Sequence, residues 1–140
     1  MTNQTLAVDQ TPIDVASAGG GFQVDQVATI GVGHLVNDTY SAFLVPLLPL
    51  LQQQLGIGYA LAGSLAIFTQ LPSVLNPLIG YLADRVSVRY FVILAPAVTA
   101  TVFSSLGLAP SYAALAILLF VGGISIAAFH APAPAMIAKV

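Results

Sequence analysis

The sequence predicts an all-α integral membrane domain, and its composition is the first reason. Of the 140 residues, 58% are hydrophobic and only 6% are charged, whereas a soluble domain carries about 25% charged residues. The mean hydropathy is +0.95. This composition excludes a soluble globular enzyme and a disordered chain. Three basic residues are too few for a nucleic-acid-binding surface, so we expect no nucleic-acid partner.

The apolar runs that begin at Val27 are the second reason, because they are long enough to cross a bilayer. A transmembrane helix needs about 20 apolar residues. A closed β-barrel would alternate apolar and polar residues, and residues 112–121 do not alternate. We therefore predict four transmembrane helices, and their boundaries follow from the polar breaks in the sequence at about 27–51, 57–83, 88–109 and 112–137.

The first 25 residues differ from the rest of the chain. They are polar, contain three of the five acidic residues and include a glycine triplet at 19–21. They show no helical apolar period. The sequence therefore predicts a flexible tail at 1–25 and a transmembrane domain at 26–140.

The basic residues predict the topology. Arg85 and Arg89 lie between the second and third spans, Lys139 follows the fourth, and the loops at 52–56 and 110–111 have no lysine or arginine. The positive-inside rule places these three residues in the cytoplasm. With four spans, the N-terminal tail is then cytoplasmic as well.

The first predicted span contains an acidic residue one position from its midpoint, Asp38. An ionised aspartate there costs about 2.5–3.5 kcal/mol on insertion scales. His34 lies four residues before it and Ser41 three residues after it, with Asn37 adjacent, so these side chains share one helix face. We predict that this face lines a cavity, with Asp38 and His34 as proton-coupling residues. The alternative is that they only join helices by hydrogen bonds.

The second predicted span contains a second polar face. Gln70, Ser73 and Asn76 recur at intervals of three residues, which places them on one side of a helix. We interpret them as lining the same cavity. Ordinary polarity between packed helices is the alternative.

The fourth predicted span contains His130 near its cytoplasmic end and Gly122 and Gly123 near its centre. Small residues permit close contact between helices. His130 either relays protons into the cavity or anchors the helix at the interface. Prolines predict distortions in three of the spans, and they stand at positions Pro46, Pro49, Pro72, Pro77, Pro132 and Pro134.

No local spacing predicts a metal site, a cofactor or a catalytic motif. The chain has no cysteine, and its two histidines lack the spacing of metal ligands. It has no nucleophile motif and no phosphate-binding loop. We therefore expect neither cofactor, metal nor enzymatic activity, and an integral-membrane enzyme that uses His34, Asp38 and His130 is the least favoured interpretation.

The loop after the second span resembles a known family signature. Residues 80–90 read GYLADRVSVRY. They resemble the signature G-x-L-x-D-R-x-G-R-R between the second and third spans of the major facilitator superfamily. The matching residues are Gly80, Leu82, Asp84, Arg85 and Arg89. Ser87 and Val88 depart from the pattern.

Within that superfamily, the chain is most similar to efflux transporters of the fosmidomycin-resistance type. The resemblance covers about residues 27–140. It rests on residues 34–38, Pro46, Pro49, Gln70, residues 76–81, Asp84, Arg85, Phe129 and His130. Ala131 stands where members of that family commonly have proline.

The resemblance implies twelve spans in two six-helix bundles, of which this chain looks like spans one to four. Because the sequence stops at Lys139 and Val140, where the fourth span exits, we expect a truncated chain that lacks the C-terminal spans. The resemblance also implies that the loop of Gly80, Asp84, Arg85 and Arg89 latches the cytoplasmic side.

These observations together predict the N-terminal part of a proton-coupled antiporter. It would export a small molecule or drug by alternating access, contribute to antibiotic resistance, and lie in the cytoplasmic (inner) membrane of a bacterium. Its partners would be the lipid bilayer, protons, the substrate and the missing spans. The alternative function is a free-standing four-helix membrane subunit or scaffold. A cationic drug would suit Asp38, whereas no lysine or arginine lies within the spans to bind a phosphonate.

Overall fold

The computed structural model describes residues 23–137, and all regular structure in that range is helical. The helices are α1 (Val24–Ala42), α2 (Leu44–Leu55), α3 (Tyr59–Gln70), α4 (Asn76–Val86), α5 (Val88–Ser104), α6 (Tyr112–His130) and α7 (Ala133–Ile137). Short 3-10 segments follow α3 at Leu71–Leu75 and α5 at Leu106–Leu108. Most of the predicted tail, together with Lys139, lies outside the described residues. The end of the predicted tail is helical, since α1 begins at Val24.

The predicted first span is divided into two helices at Phe43. Helix α1 ends at Ala42, and α2 begins at Leu44. Pro46 has no N–H to donate to the carbonyl of Ala42, so the helical hydrogen-bond ladder is interrupted at this point. The predicted bend is therefore present, but it lies ahead of the two prolines.

The predicted second span is one helical stretch with a distortion at its centre. Helix α3 passes into the 3-10 segment at Leu71, and α4 begins at Asn76. Pro72 and Pro77 each occupy one of the first two positions of the element that contains them, where a missing N–H is tolerated. The predicted kink at these prolines is confirmed.

The predicted fourth span is shorter than expected. Helix α6 begins after Ser111, whose side chain accepts a hydrogen bond from the Ala114 N–H at 3.2 Å, and it ends at His130. A two-residue turn then leads into α7. Pro134 has no N–H to donate to the carbonyl of His130, so the helix cannot continue to residue 137 as predicted.

Three helical stretches among residues 23–137 are long and apolar enough to cross a membrane. They are Tyr59–Val86, Val88–Leu108 and Tyr112–His130. Helix α1 is long enough, but Asp25, His34 and Asp38 lower its hydropathy. The predicted first span therefore remains a prediction, whereas the second, third and fourth correspond to apolar helices of sufficient length.

Helix α6 occupies the centre of the packing. It packs mainly on α5 and on α3, while α5 also packs on α1. One apolar core cluster joins α2, α3, α5 and α6, and its fully buried members are Leu65, Phe103, Leu106, Leu115 and Leu119. A second, smaller cluster lies between α1, α5 and the end of α6, with Phe129 at its centre.

Two adjacent glycines permit the close approach of α6 to its neighbours. A Cβ atom on Gly122 would lie 2.7 Å from the Phe103 ring of α5. A Cβ atom on Gly123 would collide with the main-chain carbonyl of Thr69 in α3 and would lie 2.9 Å from Pro72. The prediction that these small residues allow close helix contact is confirmed.

We expect Gly123→Ala to destabilise the fold, because the added methyl meets backbone that cannot move aside. Such overpacking costs about 1–3 kcal/mol. The measurement is the free energy of unfolding of the purified protein in mixed detergent micelles. Gly63→Ala is the matched control, since a Cβ on Gly63 in α3 meets nothing within 4 Å. Equal stability of the two variants would contradict this account of the packing.

Candidate functional site

The candidate site is a cluster of two imidazoles around one carboxylate. His34 Nε2 lies 2.9 Å from Asp38 Oδ2. His130 Nε2 lies 3.1 Å from the other carboxylate oxygen, Oδ1. The two imidazole rings meet edge to face, with centroids 5.0 Å apart. The site thus joins α1 to the end of α6.

Helix geometry and one buried aromatic ring position these groups. His34 and Asp38 are one turn apart on α1, so their contact follows from the spacing. His130 is the last residue of α6, and the preceding Phe129 is completely buried. The Phe129 ring packs against Gly33, where a Cβ would lie 3.5 Å from it, and its centroid is 5.6 Å from that of the His34 ring. This buried ring holds the end of α6 against α1.

The cluster is open on one side. The Asp38 side chain is 46% exposed, and the two histidine side chains are 50% and 38% exposed. A groove of about 510 Å³ between α1 and the α6–α7 turn is lined by both histidines and otherwise by apolar residues and Gly31. Within the described residues, the two histidines of the cluster therefore border an open groove.

The arrangement can hold a variable number of protons. When each imidazole donates its Nε2–H, the carboxylate accepts one hydrogen bond on each oxygen. An additional proton can bind Nδ1 of either ring without breaking these hydrogen bonds. A proton on the Asp38 carboxylate, in contrast, makes one carboxylate oxygen a poorer acceptor and weakens the hydrogen bond from one imidazole. The contact between α1 and the end of α6 at this site is therefore made by groups that can carry protons.

The same three side chains are the ones that could hold a metal ion. Their ligand atoms all lie within 4.8 Å of one another, and two imidazoles with one carboxylate form a donor set suited to Zn²⁺. The spacing of residues in the sequence did not predict this set of possible metal ligands, because His130 is remote from Asp38 in the sequence. The separations of 2.9 and 3.1 Å are those of direct hydrogen bonds, so we describe a hydrogen-bonded cluster.

A buried polar network lies beside the cluster. Asn37 Oδ1 lies 2.8 Å from the Thr99 hydroxyl of α5. That hydroxyl lies 2.9 Å from the Ser125 hydroxyl of α6. Ser125 donates to the main-chain carbonyl of Ala95 at 2.8 Å. Asn37 and Thr99 are completely buried, and Ser125 is nearly so, so the network joins three helices away from solvent.

The position of Asn37 corrects the prediction that it lines a cavity. The structure places it inside the interface between α1 and α5, and its Nδ2 lies 3.4 Å from Asp38 Oδ1. The period of α1 puts Asn37 and Asp38 100° apart around the helix axis, as for any neighbouring pair at about 3.6 residues per turn. Asn37 is therefore buried in the interface, whereas the Asp38 side chain is partly exposed.

Thr99, Ser125 and Phe129 contribute to the site although sequence reasoning gave them no role there. Thr99 and Ser125 are isolated hydroxyls within otherwise apolar helices, and this isolation is a usable signal for interhelical hydrogen bonds. Phe129 gave no comparable signal, because a phenylalanine in an apolar helix is ordinary. Its role depends on how α6 packs.

The other predicted cavity residues do not reach the cluster. Ser41 donates to the main-chain carbonyl of Asp38 at 3.0 Å, within its own helix. Gln70 and Ser73 are exposed. Among residues 23–137, the Asn76 Oδ1 is a buried side-chain oxygen without a hydrogen-bond partner. The second polar face is apart from Asp38 because α3 and its 3-10 segment pack on α6, whereas α1 packs mainly on α5.

The loop between α4 and α5 differs in detail from the prediction. Arg85 lies over the Tyr81 ring, 5.0 Å from its centroid. Among the described residues, Asp84 has no arginine within ion-pair distance. A Cβ on Gly80 would meet nothing within 4 Å, so none of the described helices packs closely against this glycine. Arg89 instead lines a groove between α1 and α5 that also contains Asp25.

Comparison with known proteins identifies the kind of protein that carries this site. The family model of the Major Facilitator Superfamily matches residues 30–140. YfnC of Bacillus subtilis (strain 168), described as an uncharacterized MFS-type transporter, is 29% identical over 104 residues, which make up 72% of this chain and 25% of that protein. The chain therefore spans about a quarter of the length of this relative. No solved structure matches the chain.

These matches agree with the apolar helices of the fold and point to a multi-pass membrane protein of a transporter family. Because the family model covers most of the sequence, the chain belongs to the Major Facilitator Superfamily of membrane transporters.

Proposed function

We propose that this chain is the N-terminal part of a secondary transporter that exports a small molecule in exchange for protons. Transport across a membrane follows from the family. The proton coupling is supported by one observation, the acceptance of hydrogen bonds by Asp38 from His34 on its own helix and from His130 on α6.

The cluster joins two helices, and this makes it suitable for coupling proton binding to a change in helix packing. A secondary transporter alternates between conformations in which its helices pack differently. The Asp38 carboxylate attracts His130 more strongly when the imidazole is protonated, because the pair is then an ion pair. Loading or removing protons therefore changes how firmly the end of α6 is held against α1. This gives proton binding a direct effect on helix packing.

The resemblance to efflux transporters of the fosmidomycin-resistance type supports export as the direction and a drug-sized molecule as the substrate. An organic cation suits a mostly apolar groove whose two histidines contact the Asp38 carboxylate. The proposed setting is the bacterial inner membrane with a cytoplasmic N-terminus. Four transmembrane helices of this chain would combine with further spans of the same protein.

The loop with Gly80, Asp84, Arg85 and Arg89 is proposed as a latch on the cytoplasmic side. The stacking of Arg85 on Tyr81 leaves the exposed Asp84 carboxylate at the end of α4 available for another partner. In the proposed latch, this partner belongs to a neighbouring helix in one of the two conformations of the transporter.

We expect Asp38→Asn to abolish uphill export, because the amide keeps the size of the carboxylate but cannot ionise. The measurement is proton-driven export of ethidium, as a cationic probe, from proteoliposomes that contain the complete gene product. Asp25→Asn is the matched control, because Asp25 is an exposed residue in the first turn of the same helix. Undiminished export by Asp38→Asn would remove Asp38 from the mechanism.

We expect His130→Gln to lower proton-driven export by about tenfold or more, because an amide can hydrogen-bond to Asp38 but cannot carry the proton. Downhill exchange of the same probe, which needs no net proton movement, should fall by less. Comparing the two rates in one proteoliposome preparation separates coupling from folding. An equal loss in both rates would show that His130 only supports the structure.

We expect Asp84→Asn to slow transport strongly without changing insertion into the membrane, because the latch depends on the charge of the carboxylate. Membrane abundance and export rate are measured on the same cells, with Asp25→Asn again as the control. A normal rate at normal abundance would contradict the latch.

A further inference from the structure

We propose that Thr99 and Ser125 are positioning residues that link the protonation of Asp38 to the interface of α1, α5 and α6 through the amide of Asn37. The inference rests on the proposed function, because it requires Asp38 to gain and lose a proton. It rests on the structure for the chain of contacts from Asp38 to Asn37, Thr99, Ser125 and the carbonyl of Ala95.

Counting hydrogens shows that this chain has two alternative arrangements. The Thr99 hydroxyl carries one hydrogen, but it lies 2.8 Å from Asn37 Oδ1 and 2.9 Å from Ser125 Oγ. It therefore donates to one of them at a time. Ser125 likewise has one hydrogen, which it gives either to Thr99 or to the Ala95 carbonyl. The orientation of the Asn37 amide thus decides whether Thr99 donates to Asn37 or to Ser125.

The first arrangement suits an ionised Asp38. Asn37 points its Nδ2 group at Asp38 Oδ1, 3.4 Å away, and a carboxylate can only accept. Asn37 Oδ1 then faces α5 and takes the hydrogen of Thr99. The Ser125 hydroxyl is not needed as an acceptor in this arrangement.

The second arrangement suits a protonated Asp38. Rotation of the Asn37 amide by about 180° exchanges its oxygen and nitrogen, so that the oxygen accepts from the Asp38 carboxyl group. The Asn37 nitrogen then donates to Thr99, Thr99 donates to Ser125, and Ser125 donates to Ala95. In this arrangement the Ser125 hydroxyl accepts from Thr99, because it is the oxygen besides Asn37 Oδ1 that the structure places within hydrogen-bond distance of the Thr99 hydroxyl.

The remaining ionisable groups near Asp38 do not share this path. Among the described residues, the groups that face Asp38 within ion-pair distance are His34 from α1 and His130 from α6. The one charged residue of α5, Arg89, lines the groove with Asp25. Asn37 is buried against α5, where it contacts Thr99, whereas the imidazoles lie on α1 and α6, so its contact with Asp38 is a separate route to α5.

The test is an infrared titration of the complete protein in lipid nanodiscs, which needs no substrate. The carboxyl band of Asp38 is assigned by its loss in Asp38→Asn. Ser125→Ala withdraws the acceptor that Thr99 uses in the second arrangement. We therefore expect the pH at which the band reaches half its height to fall by about 0.5 unit or more, a roughly threefold change in proton binding.

Three further variants keep the test specific. Ser105→Ala makes the same substitution at a hydroxyl that bonds only to its own helix, at Thr101, and its titration should match that of the unmodified protein. Thr99→Ser keeps the hydroxyl, so its titration should also match that of the unmodified protein. Ser125→Cys introduces a thiol, which is a weak donor and acceptor, and should shift the midpoint pH of the band in the same direction as Ser125→Ala. It replaces Ser125→Ala if Ser125→Ala does not accumulate.

Different experimental results would overturn this inference and the proposed function. An unshifted Asp38 band in both Ser125 variants would overturn the positioning role and leave proton-coupled export untouched. A shift of equal size in Ser105→Ala would also overturn it, because the effect would not depend on the path through Thr99. Uphill export by Asp38→Asn, together with a shifted band in Ser125→Ala, would instead overturn the proposed function alone.

Discussion

The cost of placing a carboxylate within an apolar helical protein is the constraint on which the site depends. An acidic side chain in a bilayer requires hydrogen-bond donors or water, and Asp38 obtains two donors from His34 and His130. The first contact is available within any helix of this sequence. The second exists only if the end of α6 lies against α1, so the helix packing and the chemistry of Asp38 depend on each other.

The packing of α6 in turn depends on two glycines at its centre, because a residue without a side chain lets neighbouring helices come close. Gly122 and Gly123 bring the helix close to Phe103 of α5 and to Thr69 and Pro72 of the second span. Phe129 then fills the space beside Gly33. These contacts between glycines and larger residues therefore align α6 along its length and carry His130 to Asp38. The charge cluster lies at the end of an apolar arrangement that does not itself contain charge.

The parts of this structure that the sequence predicts are those governed by short-range rules. The contact of His34 with Asp38 follows from a spacing of four, the kink at Pro72 and Pro77 follows from missing N–H groups, and the apolar runs predict the membrane class. The partners of Asp38 and Asn37 on α5 and α6 are not predictable in this way. Which face of one helix meets another depends on the fit of side chains such as Phe129, which a single sequence does not encode locally.

The prolines that end α1 and α6 earlier than the sequence predicted also explain the position of the site. Helix α6 ends at His130 because Pro134 cannot donate to its carbonyl, and α1 ends at Ala42 because Pro46 cannot donate there. His130 is therefore a terminal residue whose own carbonyl is not needed by the helix. Ser125, more than one turn earlier, is held within the buried network. The cluster thus joins α1 to the last residue of α6, directly after the buried Phe129 ring that packs against Gly33.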